Sequence, residues 1–140
     1  MTWLDHAQQK LARSGHRAGG ARGAVLELLA EQHCCLSAQD IHARLLAGGR
    51  AVGVASVYRA LDTLTELRLL HRVDVGGTAT YEAADPTGEH HHHVICGDCG
   101  QIGAFEDADL ERTIDDIASR TGYRVDAHDL VLRGSCPDCR

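Results

Sequence analysis

Apolar side chains recur at helical spacing through the first half of the chain and at alternating spacing just after it. Residues 21–30 place Val25, Leu26 and Leu29 on one stripe, which predicts a helix. Ser37 precedes a run containing Ile41, Leu45 and Leu46 that stops at Gly48-Gly49, which predicts an N-capped helix burying those three residues. Ser56 opens a third helix, with Val57, Leu61 and Leu64 at i, i+4 and i+7. Three short helices, the last two joined tightly through glycine, have the layout of a helix-turn-helix.

The period then changes. Residues 71–75 and 78–82 flank Gly76-Gly77, a two-residue turn suited to a β-hairpin, so the helices are expected to carry a wing. Counting outward from that turn, Val75 pairs with Thr78 and His71 falls opposite Glu82, two potential ligands side by side. Residues 85–89, with Pro86 and Gly88, read as a hinge linker between a domain at 1–84 and a second at 90–140. In the second, strands are expected at 90–96, 101–105 and about 123–133. A helix is expected from about 107 to 121, with Leu110, Ile114, Ile117 and Ala118 as its apolar stripe.

Composition changes the picture in two ways. The 140 residues are 44% apolar and 24% charged with two prolines, a folded chain long enough for one ordinary domain or two small ones. Yet ten His and six Cys stand against one Trp, three Tyr and one Phe, a surplus of metal ligands over large core-fillers. The net charge of −6 is uneven: nine basic residues face eight acidic ones through Ala83, and five face twelve beyond it. No run approaches the roughly 20 apolar residues of a membrane span, and the start lacks the order of a signal peptide. A cytoplasmic, reducing setting is expected, in which cysteines serve as thiolate ligands rather than as a disulfide framework.

Cys96-Gly-Asp-Cys99 and Cys136-Pro-Asp-Cys139 are two Cys-x-x-Cys knuckles, each able to turn two sulfurs toward one point. Together they can complete a tetrahedron around a structural Zn²⁺; two disulfides, a redox dithiol or an iron–sulfur cluster are the alternatives. The run His90-His91-His92-His93 leads into the first knuckle. On a strand, His90 and His92 face one way and His91 and His93 the other, half of a metal site on each side. The bland alternative is a solvated polar strand. Partners for the His91/His93 side are His71, Glu82 and Asp85; for the other side, Glu111 and His128.

Taken together, these motifs resemble the ferric uptake regulator (Fur) family of metal-responsive bacterial repressors, over about residues 15–139. The resemblance rests on Gly15-His16-Arg17 with Arg22, on Ser37-Ala38-Gln39-Asp40-Ile41, and on residues 54–61 as a recognition helix. Its most specific part is His91-His92-His93-Val94-Ile95-Cys96-Gly97-Asp98-Cys99-Gly100. Gly19 and Ala21 stand where the family usually has Thr and Pro.

The resemblance implies an α+β chain: an N-terminal winged helix-turn-helix, then a small C-terminal α/β dimerisation domain with a four-cysteine zinc site formed by Cys96, Cys99, Cys136 and Cys139. It implies a sensing site of His71, Glu82, His91 and His93, and an additional site of His90, His92, Glu111 and His128. Arg17, Arg22, Ser56, Tyr58 and Arg59 would contact double-stranded DNA as a homodimer on a palindromic operator. In that case the chain is not an enzyme and needs no membrane or organic cofactor.

The sensed metal is expected to be zinc, most like the zinc uptake regulator (Zur) branch, which has a ligand where His71 stands. Iron, manganese, nickel or peroxide sensing are the alternatives. Iron-type members carry an acidic ligand where this chain has Ala104, and a His where it has Cys35; a Cys at that place would favour softer zinc, the alternative being that Cys34 and Cys35 are plain buried residues. Two rival classes are weighed. A zinc enzyme such as a deaminase would need a His-x-Glu motif and an open coordination position, both missing here. A metal buffer would leave the winged helix unexplained.

Overall fold

The computed structural model describes residues 2–17, 19–32, 35–86 and 91–140. The chain divides into two compact units, Met1–Glu89 and His90–Arg140.

The first unit opens with a helix that the apolar periodicity does not announce, α1 (Trp3–Arg13). A capping box starts it: the Thr2 hydroxyl accepts from Asp5 N–H and the Asp5 carboxylate accepts from Thr2 N–H, both at 3.1 Å. It buries only Ala7 and Leu11, so its signature is a cap rather than a stripe. The Trp3 indole N–H donates to the Ala84 carbonyl at 2.8 Å, pinning the helix start to the residue that follows the wing.

Three helices follow. They are α2 (Gly20–Ala30), α3 (Ala38–Ala47) and α4 (Val54–Glu66). Val25, Leu26, Leu29, Ile41, Leu45, Val57, Leu61 and Leu64 meet in one core, as their spacing predicts. Leu46 departs from expectation: it is 50% exposed, because Ile41 and Leu45 already define the buried side of α3. Ser37 caps α3, accepting from Asp40 N–H at 3.1 Å. Ser56, expected to open α4, lies inside its first turn instead, since Gly53 is the N-cap.

The wing is β2 (Leu70–Val75) and β3 (Thr78–Ala83), with Val75 opposite Thr78 and His71 opposite Glu82 as predicted. Gly76 and Gly77 both have positive φ, 57° and 86°, the conformation a two-residue primed turn requires. A two-residue strand, β1 (Leu36–Ser37), adds to the free edge of β3, giving the sheet order β1-β3-β2.

The second unit pairs β4 (His92–Cys96) antiparallel with β5 (Ile102–Phe105) and parallel with β6 (Val131–Gly134). Between β5 and β6 runs α5 (Ala108–Thr121), capped by Asp107 and ended by Gly122 at φ 75°. The strand expected over 123–133 shrinks to β6 alone, and residues 123–130 are irregular. The expected apolar stripe of α5 is present, but among the described residues of this helix none is buried. Chain length explains it: a unit of about 50 residues lacks the apolar mass to cover a helix.

Candidate metal centres

Four sulfurs converge at the end of the second sheet. The parallel pairing of β4 with β6 sets Cys96 opposite Gly134, so the second knuckle follows immediately beside the first. Gly97 N–H donates to the Gly134 carbonyl at 2.8 Å, and the Ser135 hydroxyl to Asp98 at 2.6 Å, fastening the two loops. The sulfurs of Cys96, Cys99, Cys136 and Cys139 all lie within 4.8 Å of one another, and those of Cys99 and Cys136 are 3.8 Å apart. A tetrahedron with Zn–S bonds of about 2.3 Å has edges of about 3.8 Å. The donor set therefore fits a closed, four-sulfur zinc site with no position left for water.

The local backbone favours the thiolate form. Backbone N–H groups of Cys136 and Cys99 point at Cys96 Sγ, at 3.3 and 3.5 Å, and lower its pKa to about 6. Neighbouring sulfurs then act in the opposite direction on Cys139, pushed up to about 12 by its contacts with Cys136, Cys96 and Cys99. Cys99 accepts a backbone hydrogen bond from Gln101 that favours its thiolate, yet its sulfur neighbours and burial together outweigh that bond and raise it. Without a cation, Cys99 and Cys139 thus stay protonated beside Cys96, and a divalent ion removes that conflict.

A second cluster forms on the other flank of the same unit. Glu111, from the first turn of α5, bridges two imidazoles: Oε1 meets His92 Nε2 at 2.6 Å and Oε2 meets His128 Nε2 at 2.7 Å. His92 is 1% exposed, and its Nδ1 accepts from Leu130 N–H at 3.2 Å. That bond assigns the tautomer, leaving the proton on Nε2 to donate to Glu111. The three groups lie within 4.8 Å of one another, an N, O, N donor set suited to a borderline divalent ion that displaces the Nε2 protons. His90, expected as a fourth ligand, lies outside the described residues. Sequence reasoning missed the Leu130 N–H, which carries no side-chain signal.

The expected sensing ligands are divided between the units: His71 and Glu82 in the first, His91 and His93 in the second. Within the first, His71 and Glu82 are cross-strand partners, and Glu82 is buried. Cys35 joins them. Its Sγ lies within 4.8 Å of a Glu82 carboxylate oxygen, a contact created by β1, too short a strand to be read from periodicity. Within the second unit, the His91 and His93 rings are edge to face with centroids 4.9 Å apart, and Ala104 stands opposite His93.

The expected DNA-contacting residues occupy the first unit's surface. Val57, Leu61 and Leu64 face the core, while Val54 and Tyr58, one turn apart on the other side of α4, are 47% and 45% exposed. The Arg59 guanidinium donates to Ser56 Oγ at 3.2 Å, so Ser56 orients an exposed cation. Arg22 Nη1 reaches the Arg17 carbonyl at 3.4 Å. No described helix is long and apolar enough to cross a membrane.

A winged helix-turn-helix followed by a small unit built around metal ligands defines a metal-responsive DNA-binding regulator. Residues 13–133 match the ferric uptake regulator family, and the chain belongs to it. The chain is 37% identical over 135 residues to the ferric uptake regulation protein of Neisseria meningitidis serogroup A, covering 94% of this chain and 91% of that one. The structure resembles the Vibrio cholerae ferric uptake regulator with a TM-score of 0.81 at 30% identity, over 92% of this chain and 98% of that one. It also resembles the Francisella tularensis ferric uptake regulator solved with iron, with a TM-score of 0.78 at 28% identity, over 89% and 95% of the two chains. Members of this family are metal-dependent transcriptional repressors that bind DNA as dimers, and they are not enzymes.

Proposed function

We propose that the chain is a cytoplasmic repressor of metal-uptake genes that binds a palindromic operator when Zn²⁺ fills its sensing site. His71 and Glu82 of the wing and His91 and His93 of the second domain are the sensing ligands in this reading. One ion held by both domains selects a single relative orientation, and with it a fixed spacing of recognition helices in the dimer. Domain boundaries at 1–84 and 90–140, with 85–89 as the hinge, follow from the same reading. Tyr58 approaches base edges, while Arg17, Arg22 and Arg59 hold the backbone and Ser56 orients Arg59. The four-cysteine zinc is structural, and His92, Glu111 and His128, with His90, form the additional site.

The observation that carries the DNA-binding half is the outward side of α4, where a large aromatic and an Arg stand exposed on a helix whose other side is core. Zinc is favoured by Ala104 opposite His93, which leaves that side of the site without a carboxylate that harder ions prefer. A second reading, iron sensing, is favoured by the 37% identity to a ferric uptake regulation protein. Operator binding by the full-length protein, with the structural zinc retained and Zn²⁺, Fe²⁺, Mn²⁺ or Ni²⁺ added in turn, separates the two. Zinc at the lowest free concentration should switch binding on; affinity that ignores every added ion would sink both readings.

A further inference from the structure

We infer that Cys35 is a thiolate ligand of the regulatory ion and sets its selectivity, favouring Zn²⁺, Co²⁺ or Cd²⁺ over Fe²⁺ and Mn²⁺. The inference rests on the metal-responsive reading above and adds a sulfur donor to it.

The placement comes from register. β1 pairs with β3 through Leu36 opposite Tyr81 and Ser37 opposite Thr80, so one step outward Cys35 falls opposite Glu82. On the other edge of β3, Glu82 pairs with His71. Cross-strand neighbours share a sheet face and successive residues alternate, so Cys35, Glu82 and His71 form one row. That row points away from the side on which Leu36 and Tyr81 join the helical core. Side chains follow the backbone: Cys35 Sγ is within 4.8 Å of a Glu82 oxygen, and the two residues are only 5% and 6% exposed.

Chemistry supplies the rest. Thiolate and carboxylate are both anionic donors, and a divalent cation placed between them is attracted to both at once. With ligand atoms within 4.8 Å of each other, bonds of about 2.0 to 2.3 Å let Cys35 Sγ and a Glu82 oxygen meet one ion. A set containing sulfur prefers borderline-soft ions; oxygen-preferring Mn²⁺ and Fe²⁺ gain least from it. Cys35 is also chemically separate from the zinc-knuckle cluster, whose four sulfurs stand together in the second unit.

The test is a Co²⁺ titration of the full-length protein with zinc kept in the four-cysteine site, read by absorption and by operator binding in the same samples. The wild type should develop a near-ultraviolet sulfur-to-cobalt charge-transfer band with the first added equivalent. Cys35→Ser should lack that band, keep its circular dichroism and need at least ~100-fold more Zn²⁺ to bind operator. Cys35→His should restore metal-dependent operator binding without the band and shift the preference toward Mn²⁺. An unchanged band in Cys35→Ser, or none in the wild type, overturns the assignment. If metal controls operator binding but no Cys35-dependent band appears, the sulfur ligand is refuted and the repressor stands. A Cys35-dependent band with metal-indifferent operator binding upholds the ligand and refutes the repressor.

Discussion

The two units reach stability by different means. Every buried member of the main hydrophobic cluster, from Ala7 to Tyr81, belongs to the first unit, where four helices and a hairpin enclose Leu and Ile side chains. In the second, the buried residues among those described are Ile95, Cys96, His92 and His93, while Val94, Ile117, Tyr123, Val125 and Leu132 remain exposed. One unit is held by removing hydrocarbon from water. The other buries little and instead gathers four sulfurs in an arrangement that fits a structural zinc. The core of the first unit is thus complete without an ion, although that unit also carries Cys35, His71 and Glu82 as candidate ligands.

The sharpest way to break this contrast is Cys136→Ser, or chelation that removes the structural zinc. Such a zinc contributes roughly 10–16 kcal/mol of apparent binding energy in small units. Amide exchange should show the second unit unprotected with α2 and α4 intact, and equal protection of both units after verified zinc loss would refute the division. Leu61→Ala works in the reverse direction. It should cost the first unit about 2–5 kcal/mol in denaturant unfolding and leave zinc content at its original value.

The sulfur site also has a predictable pH response. In the metal-free chain Cys96 ionises at about 6, while Cys99 and Cys139 titrate above their ordinary values and hold protons at neutral pH. Zinc entry therefore expels at least two protons, and affinity should rise with pH by ~100-fold or more per unit between about 6 and 9. Below about 6 Cys96 protonates too, and the dependence should steepen. Calorimetry in buffers of different ionisation enthalpy counts those protons; a count of zero would contradict the coupled thiols. The smallest effect is Ser37→Ala, which removes the cap of α3 and should cost about 1 kcal/mol in the first unit alone.

Legibility in the sequence follows the same divide. The core of the first unit is readable because Val57, Leu61 and Leu64 repeat at a helical period, and the wing because Gly76-Gly77 fixes its register. Both Cys-x-x-Cys knuckles are readable because their chemistry is local. What escapes depends on pairing between distant segments. α1 announces itself only through Thr2 and Asp5, and β1 exists only because β3 has an edge to offer. The strand expected over 123–133 fails because its alternation resembles pairing that only β6 finds a neighbour for. Metal ligands are therefore easier to name than to group: Cys35 belongs beside Glu82 by an edge pairing two residues long.

The bond from Trp3 to the Ala84 carbonyl has a practical side. Trp3 is the only tryptophan among the 140 residues, and its indole N–H is tied to the segment from which the wing hands over to the second domain. Indole emission shifts with the partner of that N–H, so the protein carries its own optical reporter at the end of the wing, readable in solution without a label.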